Sequence, residues 1–466
     1  MLRASAVCET AGIPSSSLIG EGFLRQAAAT TIGLGLRNMP VAVVPGHPTA
    51  ITTEEFKRNT LEVTLAQVIE NLTRNPAAVT GVKSEPRSRD IVFSGGFKAV
   101  NQYFIENELS DGLPVVPPTI TDVEEFLCYT DLASDTVLGI VKPDNRAATV
   151  WSVAVNGLMA GCRPAYMPVL IAIARAMVAP GYGVEHSGNT PSGETLILVN
   201  GPIVKDLGIN YEGCVLRDGY LPNTSMGRFW RLYLRNVAGF LPQKTDKATY
   251  GNTWRVVGAE NEDVLTKIGW EPVCAENGCT LGDNAVTLAR YTGGDVMASV
   301  SGSTPEEVMP FLADAVMRLT ASWQLMFTVG NAPGTLRPLI LLTPIMAETI
   351  ARAGWSKLDV KRYLYDHARI PAWRFERQLR DWTRKTVWNL TEEVKHGHIP
   401  NDFHVSDDPE RMVPLVARAE DYMIAVTGDL LRNDAYVFAH NGQLGYPVTT
   451  KIELPGKWRQ LIEGKK

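Results

Sequence analysis

Cysteine and long apolar runs are scarce in this sequence. Six cysteines among 466 residues are too few for a disulfide scaffold and are typical of a protein with reduced thiols. The longest apolar runs, 169–174 and 336–350, are too short or too interrupted to span a bilayer. The N-terminal residues contain no basic patch followed by an apolar run, so they do not form a secretory signal. We therefore expect a cytoplasmic protein without membrane association.

Positive charge is not in excess either. The net charge is −5, and because no basic face or tail is present, we expect no nucleic-acid partner. The sequence lacks a Gly-x-Gly-x-x-Gly segment after a strand and a Walker-type loop, so no nucleotide cofactor is indicated and the cofactor stays unknown. No metal site is predicted. Cys274 and Cys279 are close in sequence, but without a nearby histidine their spacing is a weak metal signal.

An alternation of strand and helix patterns is present instead. The length of the chain, 466 residues, favours about two or three domains. The pattern predicts strands at 13–19 and 40–45 and helices at 22–36 and 53–72, the second helix opening with a capping box of Thr52 and Glu55. This βαβα order is typical of a small parallel sheet with flanking helices. One helix face is apolar, formed by Leu61, Leu65, Val68 and Leu72.

The predicted domains are a small α/β domain at 1–73, a linker at 74–95 and a large α/β domain at 96–466. The large domain can contain two subdomains, because its helix and strand patterns continue to the end of the chain. A basic and aromatic helix is predicted at 372–388 and is interpreted as a surface or subunit contact. We expect a homo-oligomer.

Residues 150–178 predict two apolar helices that meet at a short corner, 161–164 (GCRP). Gly161 suits the left-handed backbone that often follows a helix end. Cys162 would then precede a helix N-terminus, whose partial positive charge, together with Arg163, would lower the pKa of the thiol and favour the reactive thiolate. The alternative is that Cys162 is a small buried hydrophobe.

Three further candidates lie in turns. His47 follows the second predicted strand, at the edge where open α/β sheets bind ligands, although it can equally be a solvated loop residue. Asp111 lies in an Asp-Gly turn, where its role can be purely structural. Asn200 follows the apolar strand 195–199 and marks a second ligand edge.

Charged side chains form the remaining candidates. Helix 227–238 aligns Arg228 with two later arginines, which can meet an anionic substrate or a carboxylate cluster, or form a solvated basic face. Glu260 and Glu262 follow a strand predicted at 254–257. In an extended chain they would point the same way, and one would raise the pKa of the other, as general acid/base catalysis requires; on a loop they would be hydrated. Lys357 begins a helix that Ser356 caps.

Residues 5–72 resemble the thiol/selenol domain of glycine/sarcosine/betaine reductase component B and the small (seleno)proteins named for their UGSC motif. The resemblance is carried by SAVCETAGIP, by the strand ending VVPGHP and by the helix after it. In those domains a redox Cys or Sec motif stands just upstream of the helix that ends in Gly-Ile-Pro. Here that helix begins at about Leu2, so the motif would precede Met1, and Cys8 inside the helix does not inherit its role. Three explanations for the missing motif stay open. The recorded start is truncated, a partner chain supplies the thiol, or this protein carries out different chemistry.

The rest of the chain is similar to the large protein that accompanies UGSC proteins in bacteria. The shared segments are SDGLPVVPPT at 110–119, MAGCRP at 159–164, VNGPI at 199–203, AENE at 259–262 and GWSK at 354–357. This resemblance implies a fused form of two proteins that work together, with thiol chemistry nearby.

Three functional hypotheses follow. The first is an enzyme that cleaves or reduces a carbon–heteroatom bond of a small polar molecule, with Cys162 as the thiol, Arg163 lowering its pKa and Glu260 or Glu262 moving the proton. Its substrate-binding residues would be Arg163, Asp111, Asn200, Arg228, Lys357 and His47. The second is a thiol-independent lyase or hydrolase that uses the two glutamates, with or without a metal. The third is a non-catalytic subunit that holds a thiol-protein partner.

Overall fold

The computed structural model describes residues 2–33, 39–48, 50–75, 87–252, 257–321, 328, 334–383, 389–439 and 445–463. Over these ranges the protein mixes helices with small sheets, as predicted. An N-terminal unit with a two-stranded parallel sheet is followed by a larger α/β region that contains two four-stranded mixed sheets and two antiparallel strand pairs. In the same ranges, no helix is long and apolar enough to cross a bilayer.

The N-terminal unit has the predicted βαβα order, preceded by a helix. Its elements are α1 (Leu2–Thr10), β1 (Ser17–Gly20), α2 (Leu24–Gly33), β2 (Val41–Val44), α3 (Thr53–Asn59) and, after a π-helical turn at Thr60–Thr64, α4 (Leu65–Thr73). Strands β1 and β2 pair in parallel. The first strand starts later than predicted because Gly12 is left-handed and the Ile13 amide donates to the Cys8 carbonyl, which closes α1. Residues 34–36 of the second predicted element lie outside the described ranges.

The helix after β2 turns its apolar face outward. It begins with the predicted capping box of Thr52 and Glu55. Its polar side chains bond the free edge of β2: Thr64 to the Val43 carbonyl at 2.8 Å, Gln67 to the Val43 amide at 2.8 Å and Asn71 to the Val41 carbonyl at 3.1 Å. The backbone groups at the edge of β2 need hydrogen-bond partners. The polar face of the helix therefore packs against this edge. The predicted apolar face is therefore largely exposed: Leu61 67%, Leu65 44% and Leu72 49%.

The linker predicted at 74–95 is described only in part. Residues 76–86 lie outside the described ranges, and residues 87–95 contain no helix or strand.

The larger region continues with helices and strands that alternate irregularly. Its first half contains α5 (Phe97–Glu106), α6 (Ile120–Leu127), β3 (Val137–Val141), β4 (Arg146–Thr149), α7 (Val150–Met159), α8 (Met167–Val178), β5 (Glu194–Asn200), α9 (Ile203–Leu207), α10 (Leu221–Asn236), β6 (Val257–Ala259), α11 (Glu262–Ile268) and β7 (Ala285–Tyr291). Its second half contains β8 (Gly294–Met297), α12 (Pro305–Thr320), β9 (Leu339–Leu342), α13 (Pro344–Arg352), α14 (Lys357–His367), β10 (Arg369–Pro371), α15 (Ala372–Thr383), α16 (Leu390–Lys395), β11 (Met412–Pro414), β12 (Met423–Val426), β13 (Ala435–Phe438), β14 (Val448–Lys451) and α17 (Trp458–Glu463).

Helices α7 and α8 form the centre of the largest core, as their composition predicts. Ten of the twelve residues of α8 are buried, which is expected of a helix that is apolar on all sides. The two helices cross closely, because a Cβ added to Gly157 would lie 2.6 Å from a methyl carbon of Leu170. Gly161 adopts the predicted left-handed conformation at the corner between them.

The two four-stranded sheets pack against each other. Their orders are β14-β7-β5-β6 and β12-β9-β13-β8. One buried cluster combines side chains of both sheets, including Leu196, Leu198, Tyr291, Leu339, Leu341 and Phe438. The end of β6 also meets the end of β12, where the Asn261 amide donates to the Val426 carbonyl at 2.8 Å. Strand ends from both sheets therefore meet at one place in the larger region.

Candidate functional site

Three of the predicted residues meet at the carboxyl ends of β5 and β6. These strands are parallel neighbours, with Val199 opposite Ala259. Asn200 ends β5, and its Nδ2 donates to Glu260 Oε2 at 2.8 Å and to Glu262 Oε1 at 3.1 Å. A single amide group thus holds both carboxylates.

A turn, and not an extended chain, brings the two glutamates together. The predicted strand lies partly outside the described residues, at 254–256, and β6 occupies 257–259. Asn261 then caps α11 by accepting from the Val264 amide at 3.1 Å, and Glu262 is the first helical residue. The expectation that both side chains point the same way holds, but its predicted cause was wrong. The cap between them folds the backbone so that both reach Asn200.

Glu260 is enclosed by hydrogen-bond donors. Its side chain is wholly buried. The donors are Asn200 Nδ2 at 2.8 Å, the Val273 amide at 2.6 Å and the Val426 amide at 3.2 Å, and Lys357 Nζ forms an ion pair with Oε1 at 3.5 Å. The same Lys357 ammonium donates to the Ile424 carbonyl at 2.8 Å. These contacts satisfy a buried carboxylate, and through them Glu260 joins strand ends from both sheets.

Glu262 has a different environment. It is half-buried, and its Oε1 accepts from the Gly201 amide at 2.8 Å as well as from Asn200. Burial raises the pKa of Glu262, and the Glu260 charge adds to this, while hydrogen bonds from Asn200, Gly201 and Gly282 oppose it. Of the pair, Glu262 therefore has both partial access to solvent and a pKa displaced toward neutrality.

Asn200 has one unused hydrogen-bonding atom. Its side chain is fully buried, and Oδ1 has no hydrogen-bond partner among the described residues. A buried amide oxygen without a donor is costly, and such groups are normally satisfied by water or a ligand.

The backbone after Asn200 packs closely against a neighbouring loop, because a Cβ on Gly201 would lie 2.5 Å from Asn284 Oδ1. Only glycine therefore allows the strand end to approach this neighbouring loop.

Residues that sequence reasoning did not assign to this site also border it. Cys274 is buried and follows Val273, whose amide donates to Glu260. Burial raises the pKa of the Cys274 thiol well above its ordinary value, and the Glu260 charge is the next cause. Lys361, one turn after Lys357 on α14, forms an ion pair with Glu276. Its position four residues after Lys357 was a usable signal, because both then share one helix face.

A second group combines Asp111, Arg228 and Cys162. Arg228 donates to both Asp111 oxygens, at 3.0 and 2.9 Å, and to the Pro114 carbonyl at 2.9 Å. Asp111 also accepts from the Leu113 amide at 3.3 Å, so it supports the predicted Asp-Gly turn as well. Arg228 belongs to a helix face that meets carboxylates, since Arg231 pairs with Glu194 at 2.9 Å. The interpretation of this face as a solvated basic surface is wrong.

Cys162 does not have the electrostatics that the sequence predicts. Its thiol is buried in the core, where it hydrogen-bonds Ser225. Burial raises the pKa of Cys162 to about 12, and the Ser225 hydrogen bond and the Arg228 charge only partly oppose this. Arg163 is exposed beside it. The predicted lowering of this pKa is therefore wrong in direction, because desolvation outweighs the neighbouring positive charges.

The last predicted residue belongs to the other unit. His47 is exposed in the turn after β2. At the same edge of the small parallel sheet, the Gly46 amide donates to Glu21 Oε2 at 3.3 Å. Across the described ranges, no group of three or more His, Cys, Asp or Glu side chains is arranged to hold a metal ion.

Comparison with known proteins identifies one similarity. Residues 1–74 match the UGSC family. No curated protein and no protein of solved structure matches the chain. The match supports a UGSC-type domain at the N-terminus and does not extend to the larger region, which contains both groups of site residues.

Proposed function

We propose that the larger region is an acid/base enzyme, a lyase or hydrolase, which acts on a small polar molecule at the ends of β5 and β6. One observation carries this proposal: Glu260 and Glu262 share the Asn200 amide, yet Glu260 is fully buried and Glu262 is not. Two neighbouring carboxyl groups in different environments are a common arrangement for general acid/base catalysis.

The roles follow from the contacts. Glu260 holds Asn200, the Val273 amide and Lys357 in position. Glu262 takes and returns the proton, because burial brings its pKa closer to neutral pH. Asn200 Oδ1 accepts no hydrogen bond from the described residues, which favours a substrate that donates one from a hydroxyl, amine or amide group.

The thiol-assisted reaction with Cys162 as nucleophile is the weaker version of this proposal, because its thiolate is disfavoured at neutral pH.

We also propose that the chain is a fused form of a UGSC-type domain and its large companion protein, as the shared motifs imply. A homo-oligomer and a thiol-bearing partner chain belong to that proposal.

The test compares variants of the full chain. Purified protein is incubated with a pool of small polar metabolites, and consumption is followed by mass spectrometry. Wild type and Cys162→Ser should consume the same compound, whereas Glu262→Gln should lose about 10²- to 10⁴-fold in rate, the usual contribution of a general acid or base. The matched control is Asp263→Asn, which removes the adjacent carboxylate of an exposed ion pair with Lys205.

Three results would contradict the proposal. An undiminished Glu262→Gln rate would remove the acid/base role. If Cys162→Ser loses activity and Glu262→Gln keeps it, the thiol nucleophile is favoured. Turnover that requires an added thiol protein would favour the non-catalytic subunit.

A further inference from the structure

Two cysteines of the larger region lie side by side. Cys274 belongs to a 3₁₀ turn at Val273–Asn277, and the left-handed Gly278 reverses the chain after it. The Cys279 amide then lies 3.4 Å from the Cys274 carbonyl. Both side chains are buried and pack together with Ala285. A dithiol in contact across a tight turn is the arrangement from which an intrachain disulfide forms.

The two thiols differ in how they can be reached. Cys274 is fully buried, whereas Cys279 retains 6% exposure and is flanked by the exposed residues Gly278 and Thr280. A small movement of this surface turn therefore exposes Cys279 first. Lys451 places a positive charge near the pair: its pKa is raised mainly by Asp283 and also by both cysteines.

The pair is connected directly to the carboxylate site. Val273, the residue before Cys274, donates its amide to Glu260 at 2.6 Å. Both Glu260 and Glu262 act on the Cys274 thiol electrostatically. Any change in the backbone of this turn therefore changes the position of a Glu260 hydrogen bond.

We infer that Cys274 and Cys279 form a reversible dithiol/disulfide couple, oxidised by a small-molecule or protein disulfide. Cys279 as the thiolate attacks one sulfur of the oxidising disulfide, and one thiol of that reagent leaves with its electron pair and a proton. Cys274 loses its proton and attacks the Cys279 sulfur of the mixed disulfide, which releases the second reagent thiol. The couple loses two hydrogens, and one disulfide becomes two thiols. This inference does not require the proposed function, although its effect on Glu260 rests on it.

The experiment uses the full chain in glutathione buffers of increasing oxidised fraction, followed by acid quenching, alkylation in denaturant, intact-mass measurement and peptide mapping. Wild type should lose two alkylation sites together and yield a linked peptide that contains Cys274 and Cys279, and a reductant should restore both sites. Cys274→Ser should stop at a mixed disulfide between Cys279 and glutathione, and Cys279→Ser should form no linkage. Cys128→Ser, which removes an exposed thiol elsewhere, should behave as wild type.

The mapping of wild type decides the inference even if a variant does not fold. Full alkylation of both cysteines in oxidising buffer, or a linkage to a different cysteine, would overturn it. The effect on the proposed reaction is measured separately, as a rate in wild type that falls on oxidation and recovers on reduction, while Cys279→Ser is insensitive. A disulfide without a change in rate would leave the couple in place and disconnect it from Glu260.

Discussion

Replacing Glu260 with glutamine should destabilise the larger region severely, although the side chain keeps its size. Asn200 and Val273 donate to one carboxylate oxygen, whereas the other accepts from the Val426 amide and forms an ion pair with Lys357. Glutamine supplies one oxygen and one NH₂ group. In either orientation of the amide, two donors lose their acceptor and face the hydrogens of the new group.

The magnitude follows from burial. The Glu260 side chain is fully buried, and that of Lys357 is 13% exposed. Removing one partner of a buried ion pair costs about 3–5 kcal/mol, because the other charge stays buried without compensation. The exposed pair of Lys205 and Asp263 gives the contrast: both side chains are about 60% exposed, and losing such a pair costs about 0–1 kcal/mol.

Urea unfolding followed by tryptophan fluorescence measures this difference. All ten tryptophans lie at or after Trp151, so the signal reports on the larger region and not on the N-terminal unit. Glu260→Gln should lower the free energy of unfolding by about 3–5 kcal/mol, and Asp263→Asn should change it by less than about 1 kcal/mol. Adding Lys357→Met to Glu260→Gln should recover part of the loss, because the uncompensated charge is removed. A Glu260→Gln cost equal to that of Asp263→Asn would refute the assignment of a buried ion pair.

Three further predictions concern pH, reactivity and a helix cap. Because the pKa of Glu262 is raised on folding, the folded state binds this proton more tightly; the stability it contributes should be lost as pH rises from the ordinary value of 4.5 through the folded pKa, and Glu262→Gln should flatten that part of the unfolding free-energy profile. In alkylation at pH 5 to 9, the exposed Cys128 and Cys214 should react first and Cys162 only after denaturation; fast modification of Cys162 would contradict its burial. Thr52→Ala should cost about 1 kcal/mol and accelerate amide hydrogen exchange in residues 53–73, since it removes the hydroxyl that accepts from the Glu55 amide.

Local chemistry allowed much of the fold to be predicted. The capping residues Thr52 and Ser356, the apolar helices around Gly161 and the strand–turn positions of Asn200 and Glu260 depend on neighbours within a few residues. Hydrophobic period, cap residues and turn glycines are properties of a short segment, so the sequence alone determined them. The residues at strand ends were selected as candidates for the same reason.

Only the tertiary structure decided which of these residues work together. The hydrogen-bond and ion-pair partners of Glu260 are Asn200, Val273, Lys357 and Val426, which are up to 166 residues away in the chain. The outward face of the helix after β2 depended on the unpaired strand edge beside it. The raised pKa of Cys162 depended on burial by the helices that surround it. Desolvation and long-range contact are properties of the packed chain, so no local pattern contains them.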